Sequence, residues 1–150
     1  QGYSSQRQMC IRDRFNEAGR PELTQKWVRA ILNEFYGTDG VHGYGYGQDE
    51  DQGQLGAWYV ISSMGLFDVK GLTDIHPSFS LGAPLFDKIT IHLNKEYYPG
   101  DQFVITTTGN TGSDAYVNQY LLNGKPIQGV HLPFTEIVKG GKLEVQMHTN

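Results

Sequence analysis

Cysteine is almost missing from the 150-residue sequence: Cys10 stands alone. That excludes an internal disulfide and a cysteine-built zinc site, and it leaves the redox compartment open. Basic residues are neither in excess nor clustered. Twelve Lys and Arg stand against 16 Asp and Glu, a formal net charge of −4 at pH 7, so the electrostatic footprint of a nucleic-acid binder is absent. Long hydrophobic runs are missing too. The longest uninterrupted one, Ala57 to Ile61, is far short of the roughly 20 residues that span a bilayer. The histidines His42, His76, His92, His131 and His148 are scattered, with none paired at i, i+3 or i, i+4, so they form no metal motif. No G-x-S-x-G elbow occurs, and Ser62-Ser63 has no base nearby in sequence, which excludes serine-nucleophile chemistry of that type. Internal repeats are not evident.

What is present suits one soluble domain or a piece of something larger. A chain of this length buries roughly 70% of the surface it exposes when unfolded, enough for an apolar core without staples. Aromatics make up 12% and glycine supplies 19 residues, nearly twice the usual ~7% share of glycine. Both gather around one acidic loop. Such loops suit sugar-binding clefts, while Gly and Tyr are equally at home in the turns of all-β modules.

Residues Gln1 to Arg14 show no initiator Met, no apolar h-region and no periodicity, and so read as neither a signal peptide nor a regular element. Ser4 to Arg14 looks like translated sequencing adapter, which would make Cys10 an artefact and leave the upstream protein missing. From Pro21 to Tyr36, Leu23, Trp27, Ala30, Ile31 and Phe35 recur at helical spacing, with Lys26, Arg29 and Asn33 predicted to turn away. Pro21 suits the first helical position and Gly37 the stop. A second helix is predicted over Gln52 to Met64, with Asp51 as N-cap, Gln54 as capping-box partner and Gly65 just past the end. Its apolar residues Leu55, Trp58, Tyr59 and Ile61 predict packing on more than one side, and Trp27 and Trp58 read as core residues.

After Gly71 the period becomes two: Ile89, Ile91 and Leu93, then Phe103, Ile105 and Thr107. Tyr116 to Leu122 leads into Asn123-Gly124, a two-residue hairpin signal. Gly140-Gly141 turns the chain into a last strand with Leu143, Val145 and Met147 on one face. Helices followed by strands predict an α+β arrangement with a small antiparallel sheet or sandwich, or the tail of one domain joined to another.

The most informative stretch is Gly43 to Gln54, Gly-Tyr-Gly-Tyr-Gly-Gln-Asp-Glu-Asp-Gln-Gly-Gln, which delivers three consecutive acids toward a helix start. Mutual repulsion opposes ionising all three, whereas the positive end of the helix stabilises an anion by about 0.3–1 kcal/mol. Opposing pushes of this kind can poise a general base. The alternative is structural, with Asp51 a cap and Asp49 and Glu50 solvated turn residues. Asp49, Asp51 and Gly53 also form a D-x-D-x-G run, but position 12 of an EF-hand loop would be Val60, where a bidentate Glu is required. Tyr44 and Tyr46, set between glycines, belong to no regular apolar face and are candidates to stack on a sugar.

The run Gly47 to Val60, Gly-Gln-Asp-Glu-Asp-Gln-Gly-Gln-Leu-Gly-Ala-Trp-Tyr-Val, resembles the acidic signature of glycoside hydrolase family 92, the calcium-dependent exo-α-mannosidases. The resemblance extends through Ala18-Gly19-Arg20-Pro21, Leu23 to Val28, Gly82 to Ile91, Leu122 to Pro126 and Lys139 to Glu144, and so covers Phe15 to the end. Gln52 and Gly56 depart from the pattern without removing a catalytic group.

The resemblance implies an N-terminal β-sandwich packed on an (α/α)6 catalytic barrel. This chain would carry the barrel's last helices with the acidic loop over 15–72, a small antiparallel β region over 73–150, and a non-native or disordered leader over 1–14. It implies an inverting hydrolysis of terminal α-mannosides, with Asp49 and Asp51 at the base positions and the general acid in the missing N-terminal part of the same chain. Calcium is the implied cofactor, with ligands that no residue here can be matched to, and a mannose-containing glycan the implied partner. Secretion, periplasmic residence or cell-surface display follows from the same resemblance. The isolated chain is expected to be inactive, with the Leu23/Trp27/Ile31 face lacking partners. Two other readings are a non-catalytic carbohydrate-binding β-module and a different (α/α)6 enzyme acting on glucosides.

Overall fold

The computed structural model describes residues 14–34, 36, 53–68, 72–110 and 115–149. Helix α1 spans Pro21–Glu34 and α2 Gln54–Ser63. The strands that follow are β1 Leu66–Phe67, β2 Ser78–Leu81, β3 Lys88–His92, β4 Gln102–Thr108, β5 Ala115–Leu122, β6 Lys125–Pro126, β7 His131–Pro133 and β8 Gly141–Thr149, with a short helix α3, Phe134–Val138, before the last. β1, β2 and β7 form one antiparallel sheet, and β3-β4-β8-β5-β6 form the other.

The predicted α+β class agrees with this architecture, but the larger sheet is mixed where an antiparallel one was expected. β4 pairs with β8 in parallel, Phe103 opposite Gly141 through Thr108 opposite Gln146. Local patterning carries the period of each strand and not its partner, and a parallel pair needs the long crossover that β5 to α3 supplies here. The period-two faces are as expected: Phe103, Ile105, Leu143, Val145 and Met147 are all buried. The Asn123-Gly124 turn has positive φ at both residues, 49° and 79°, the type I′ geometry that matches strand twist in a hairpin.

Two apolar clusters result. The larger holds Leu66, Leu81, Phe103, Ile105, Leu132 and the inner face of β8. The smaller holds Val28, Leu32, Trp58 and Phe67. β1 is where they meet, because successive side chains of a strand point to opposite faces: Leu66 enters the first cluster and Phe67 the second. Ile61 of α2 packs against both.

The helices depart from prediction in four respects. α2 starts at Gln54 with Gly53 at the N-cap position, φ 84° and no side-chain cap; Asp51, expected as the cap, lies outside the described residues. The left-handed turn at Gly53 redirects the chain immediately before the first helical turn. α2 packs on more than one side, with Trp58 in the smaller cluster and Ile61 against both, but its face at Ala57 and Val60 is left exposed. In α1 the buried residues are Thr24, Gln25, Val28, Arg29 and Leu32, so Arg29 points inward. Trp27, expected in the core, is 49% exposed, and Lys26 Nζ sits 5.7 Å above its ring in a cation–π contact.

Candidate functional site

Tyr44, Tyr46, Asp49 and Asp51 lie outside the described residues, as do Glu50, Gln52 and Gly37. The structure describes the two flanks of that acidic segment. On one side stands Tyr36, just past α1, and on the other Gly53, which opens α2. The Tyr36 ring stacks on Trp58 with centroids 5.8 Å apart and an interplanar angle of 15°, and it tilts against Tyr59 at 4.9 Å. Offset ring pairs of this kind contribute about 0.5–1.5 kcal/mol beyond area burial. Tyr36 is therefore held against the middle of α2.

Trp58 is 3% exposed, as its reading as a core residue requires. Its Nε1 finds no hydrogen-bond partner among the described residues, nor do both side-chain amide atoms of Asn16 or Nε of Arg29. Arg29 does donate through Nη2 to the Pro84 carbonyl at 2.6 Å and to Asn110 Oδ1 at 3.2 Å. Burial pulls its guanidinium below the usual range, although arginine stays charged in proteins. Gln25 Oε1 accepts from the Val117 amide at 2.9 Å, beside the bulge that shifts register between Val117 and Gln119. A bulge leaves a backbone group without its ladder partner, and here a helix side chain supplies one.

Gln25 and Arg29 were missed as contact residues because polar side chains on an amphipathic helix read as solvent-facing. Their spacing carried the signal. Thr24, Gln25, Val28, Arg29 and Leu32 follow i, i+1, i+4, i+5, i+8, one helical face shared with two aliphatic residues.

Nothing among the described residues fits the expected calcium ion. No group of three or more His, Cys, Asp or Glu side chains comes together there. The orphaned Asn16 Oδ1 is one donor, where calcium takes six to eight oxygens. Among the described residues no helix is long and apolar enough to cross a membrane.

The sequence matches the model of the glycosyl hydrolase family 92 catalytic domain over residues 5–149. The fold superposes on a family GH92 α-mannosidase from Bacteroides thetaiotaomicron with a TM-score of 0.77 and 26% identity, covering 93% of this chain and 18% of that one. The same score and identity hold against its complex with mannoimidazole, of which 17% is covered. A family GH92 inverting mannosidase from the same organism gives a TM-score of 0.67 and 30% identity over 86% of this chain and 16% of that one. None of the curated proteins matches the chain. The chain thus spans under a fifth of the length of these solved relatives, and it belongs to glycoside hydrolase family 92.

Proposed function

We propose that this chain is the C-terminal part of an inverting, calcium-dependent α-mannosidase that hydrolyses terminal α-mannosides of glycans. In this reading Asp49 and Asp51 activate the attacking water. The observation that carries it is the family match over residues 5–149, within which the acidic run Gly47–Val60 falls. The mannoimidazole bound by a relative supports a mannose-like ligand. Residues 15–72 would be the last helices of an (α/α)6 barrel and 73–150 its trailing β region, and the family match reaches into the leader as far as residue 5. The exposed faces at Trp27 and Val60, 49% and 54% accessible, suit helices whose other neighbours belong to the remainder of such a barrel.

A base carboxylate in an inverting enzyme must leave room for a water between itself and the anomeric carbon, which sets the two carboxyl groups roughly 6.5–9.5 Å apart. The acid partner would come from the rest of the chain. Tyr44 and Tyr46 would stack on the sugar. Calcium would draw its ligands from outside the described residues, and the proposal extends to a protein that is secreted, periplasmic or displayed on the cell surface. An apolar hollow lined by Ile61, Met64, Phe79, Ile91, Tyr98 and Phe134 offers little to a sugar's hydroxyls, so it does not favour the binding-module reading.

The test is turnover of α-mannosides by the full-length protein carrying this sequence. Asp51→Asn and Asp49→Asn are expected to lower kcat by about 10²–10⁴, the usual worth of a general base, with the fold kept by circular dichroism. Near-normal mannoside turnover in both variants would overturn the assignment.

A further inference from the structure

The connection from β2 to β3, residues 82–87, touches both helices that flank the acidic segment. On the α2 side, the Gly82 amide donates to the Gly65 carbonyl at 2.8 Å and the Leu85 amide to the Ser63 carbonyl at 2.9 Å. Gly65 lies so close that a Cβ there would stand 2.8 Å from Pro84 Cγ, at a φ of +74°, a conformation L side chains rarely adopt. On the α1 side, Arg29 reaches the Pro84 carbonyl. The connection is itself held to the sheets: Tyr120 Oη donates to the Gly82 carbonyl at 3.3 Å, and Asn110 Nδ2 donates to the Leu85 carbonyl at 3.1 Å. Residues 82–87 therefore form a strap with one helix on each side and the sheets behind.

Arg29 is an expensive way to make such a contact. It is 4% exposed, and among the described residues its bonds go to a carbonyl and an amide oxygen, not to a carboxylate. Burying a guanidinium costs desolvation that an apolar residue of similar size would not incur, and the described acceptors, a carbonyl and an amide oxygen, offset only part of it. What the guanidinium offers in return is a planar donor group whose Nη2 reaches two acceptors at once, the Pro84 carbonyl and Asn110 Oδ1, on segments that are far apart in sequence. That is a device for fixing position, beyond adhesion.

We propose that Arg29 is a positioning residue, which locks α1 to the 82–87 strap on which α2 also rests, and so sets the spacing of the two helices carrying the ends of the acidic segment. The inference rests on the catalytic reading above, in which the base carboxylates lie between those helices in sequence. A base displaced by about 1 Å can cost of order 10²-fold in rate, so helix spacing is felt in kcat before it is felt in binding.

Kinetics and hydrogen exchange on the full-length protein test it. Arg29→Gln is expected to lower kcat at least tenfold with KM within threefold. It should also speed amide exchange in peptides covering 30–34 and 53–58, leaving 115–149 as in the wild type. Arg29→Lys, which keeps the charge and a donor for one of the two acceptors, should fall between. Gly65→Ala, which pushes the strap off α2 from the other side, should reproduce the same pattern. Wild-type kcat in Arg29→Gln, a rise in KM alone, or faster exchange spread through 115–149 would each overturn the proposal, the last by making Arg29 a general stabiliser. Should the wild type turn over no α-mannoside, the catalytic reading falls, and the exchange pattern still decides whether Arg29 sets the helix spacing.

Discussion

Tyr36 lies against Trp58 with the two ring planes 15° from parallel, so the residue that leaves α1 rests on the middle of α2. Trp58 is at the same time enclosed with Val28, Leu32 and Phe67. The stack thus joins the chain on either side of the acidic segment to the smaller of the two cores. Trp58→Ala should destabilise the protein by about 3–5 kcal/mol, the cost of a large cavity in a packed site. Trp58→Phe keeps a ring against Tyr36 and removes the Nε1 donor that lacks a described partner, so it should cost about 1–2 kcal/mol. Urea denaturation of the two variants checks the ordering, and equal losses would show that the stack contributes nothing.

Gln25 offers a sharper test of the helix-to-sheet contact. Its Oε1 accepts from the Val117 amide at 2.9 Å beside the β5 bulge. Gln25→Leu retains the volume and removes the acceptor, leaving a backbone donor unsatisfied at a cost of about 1–3 kcal/mol. Gln25→Glu keeps an acceptor oxygen but places a carboxylate where Gln25 is 3% exposed, so it should cost at least as much at neutral pH and less once acid protonates it. Thermal unfolding of both at neutral and acid pH distinguishes them, and Gln25→Leu at wild-type stability would mean that water replaces the side chain at the bulge.

The longer strands were legible because each buries one face against the larger core. Alternation at Ile89/Ile91, Phe103/Ile105 and Leu143/Val145/Met147 is a local signal, and the Asn123-Gly124 pair carries its own backbone demand. The parallel pairing of β4 with β8 was not legible, since no residue within either strand encodes its neighbour. Trp27 and Arg29 were misplaced for one shared reason. Hydrophobicity ranked Trp27 inward and charge ranked Arg29 outward, whereas the helix buries the face that carries Val28 and Leu32. The start of α2 was set too early because Asp51 has cap chemistry, while Gly53 at φ 84° decides where helical geometry begins. Of the candidate site, the sequence supplied the acids and the structure supplied the flanks.

At the start of α1, Arg20 Nε donates to Glu22 Oε1, and this bond holds the Glu22 carboxyl below the usual glutamate range. A carboxylate whose folded value is depressed adds stability that is complete above its unfolded value and is lost as pH falls through the folded one. The pair is exposed, so the effect on overall stability should be small. The readout is the Glu22 side-chain carbon followed by NMR through acid titration. Its midpoint should lie below that of a free glutamate and return to it in Arg20→Ala. An unchanged midpoint in that variant would shift the cause to the helix N-terminus.

Removing calcium tests the part of the proposal that no described residue can carry. A hard divalent cation binds best where several oxygens converge, and no such group forms among the described residues. Treating the full-length protein with excess chelator should abolish mannoside turnover, and added calcium should restore it. Magnesium should not, because it demands a smaller octahedral shell and gives up its waters reluctantly. Binding to the folded state alone also raises stability with ligand concentration, so the melting temperature should climb as calcium is added back. Full turnover in chelator, with a melting temperature indifferent to calcium, would remove the ion from the mechanism and leave the aspartates to act without it.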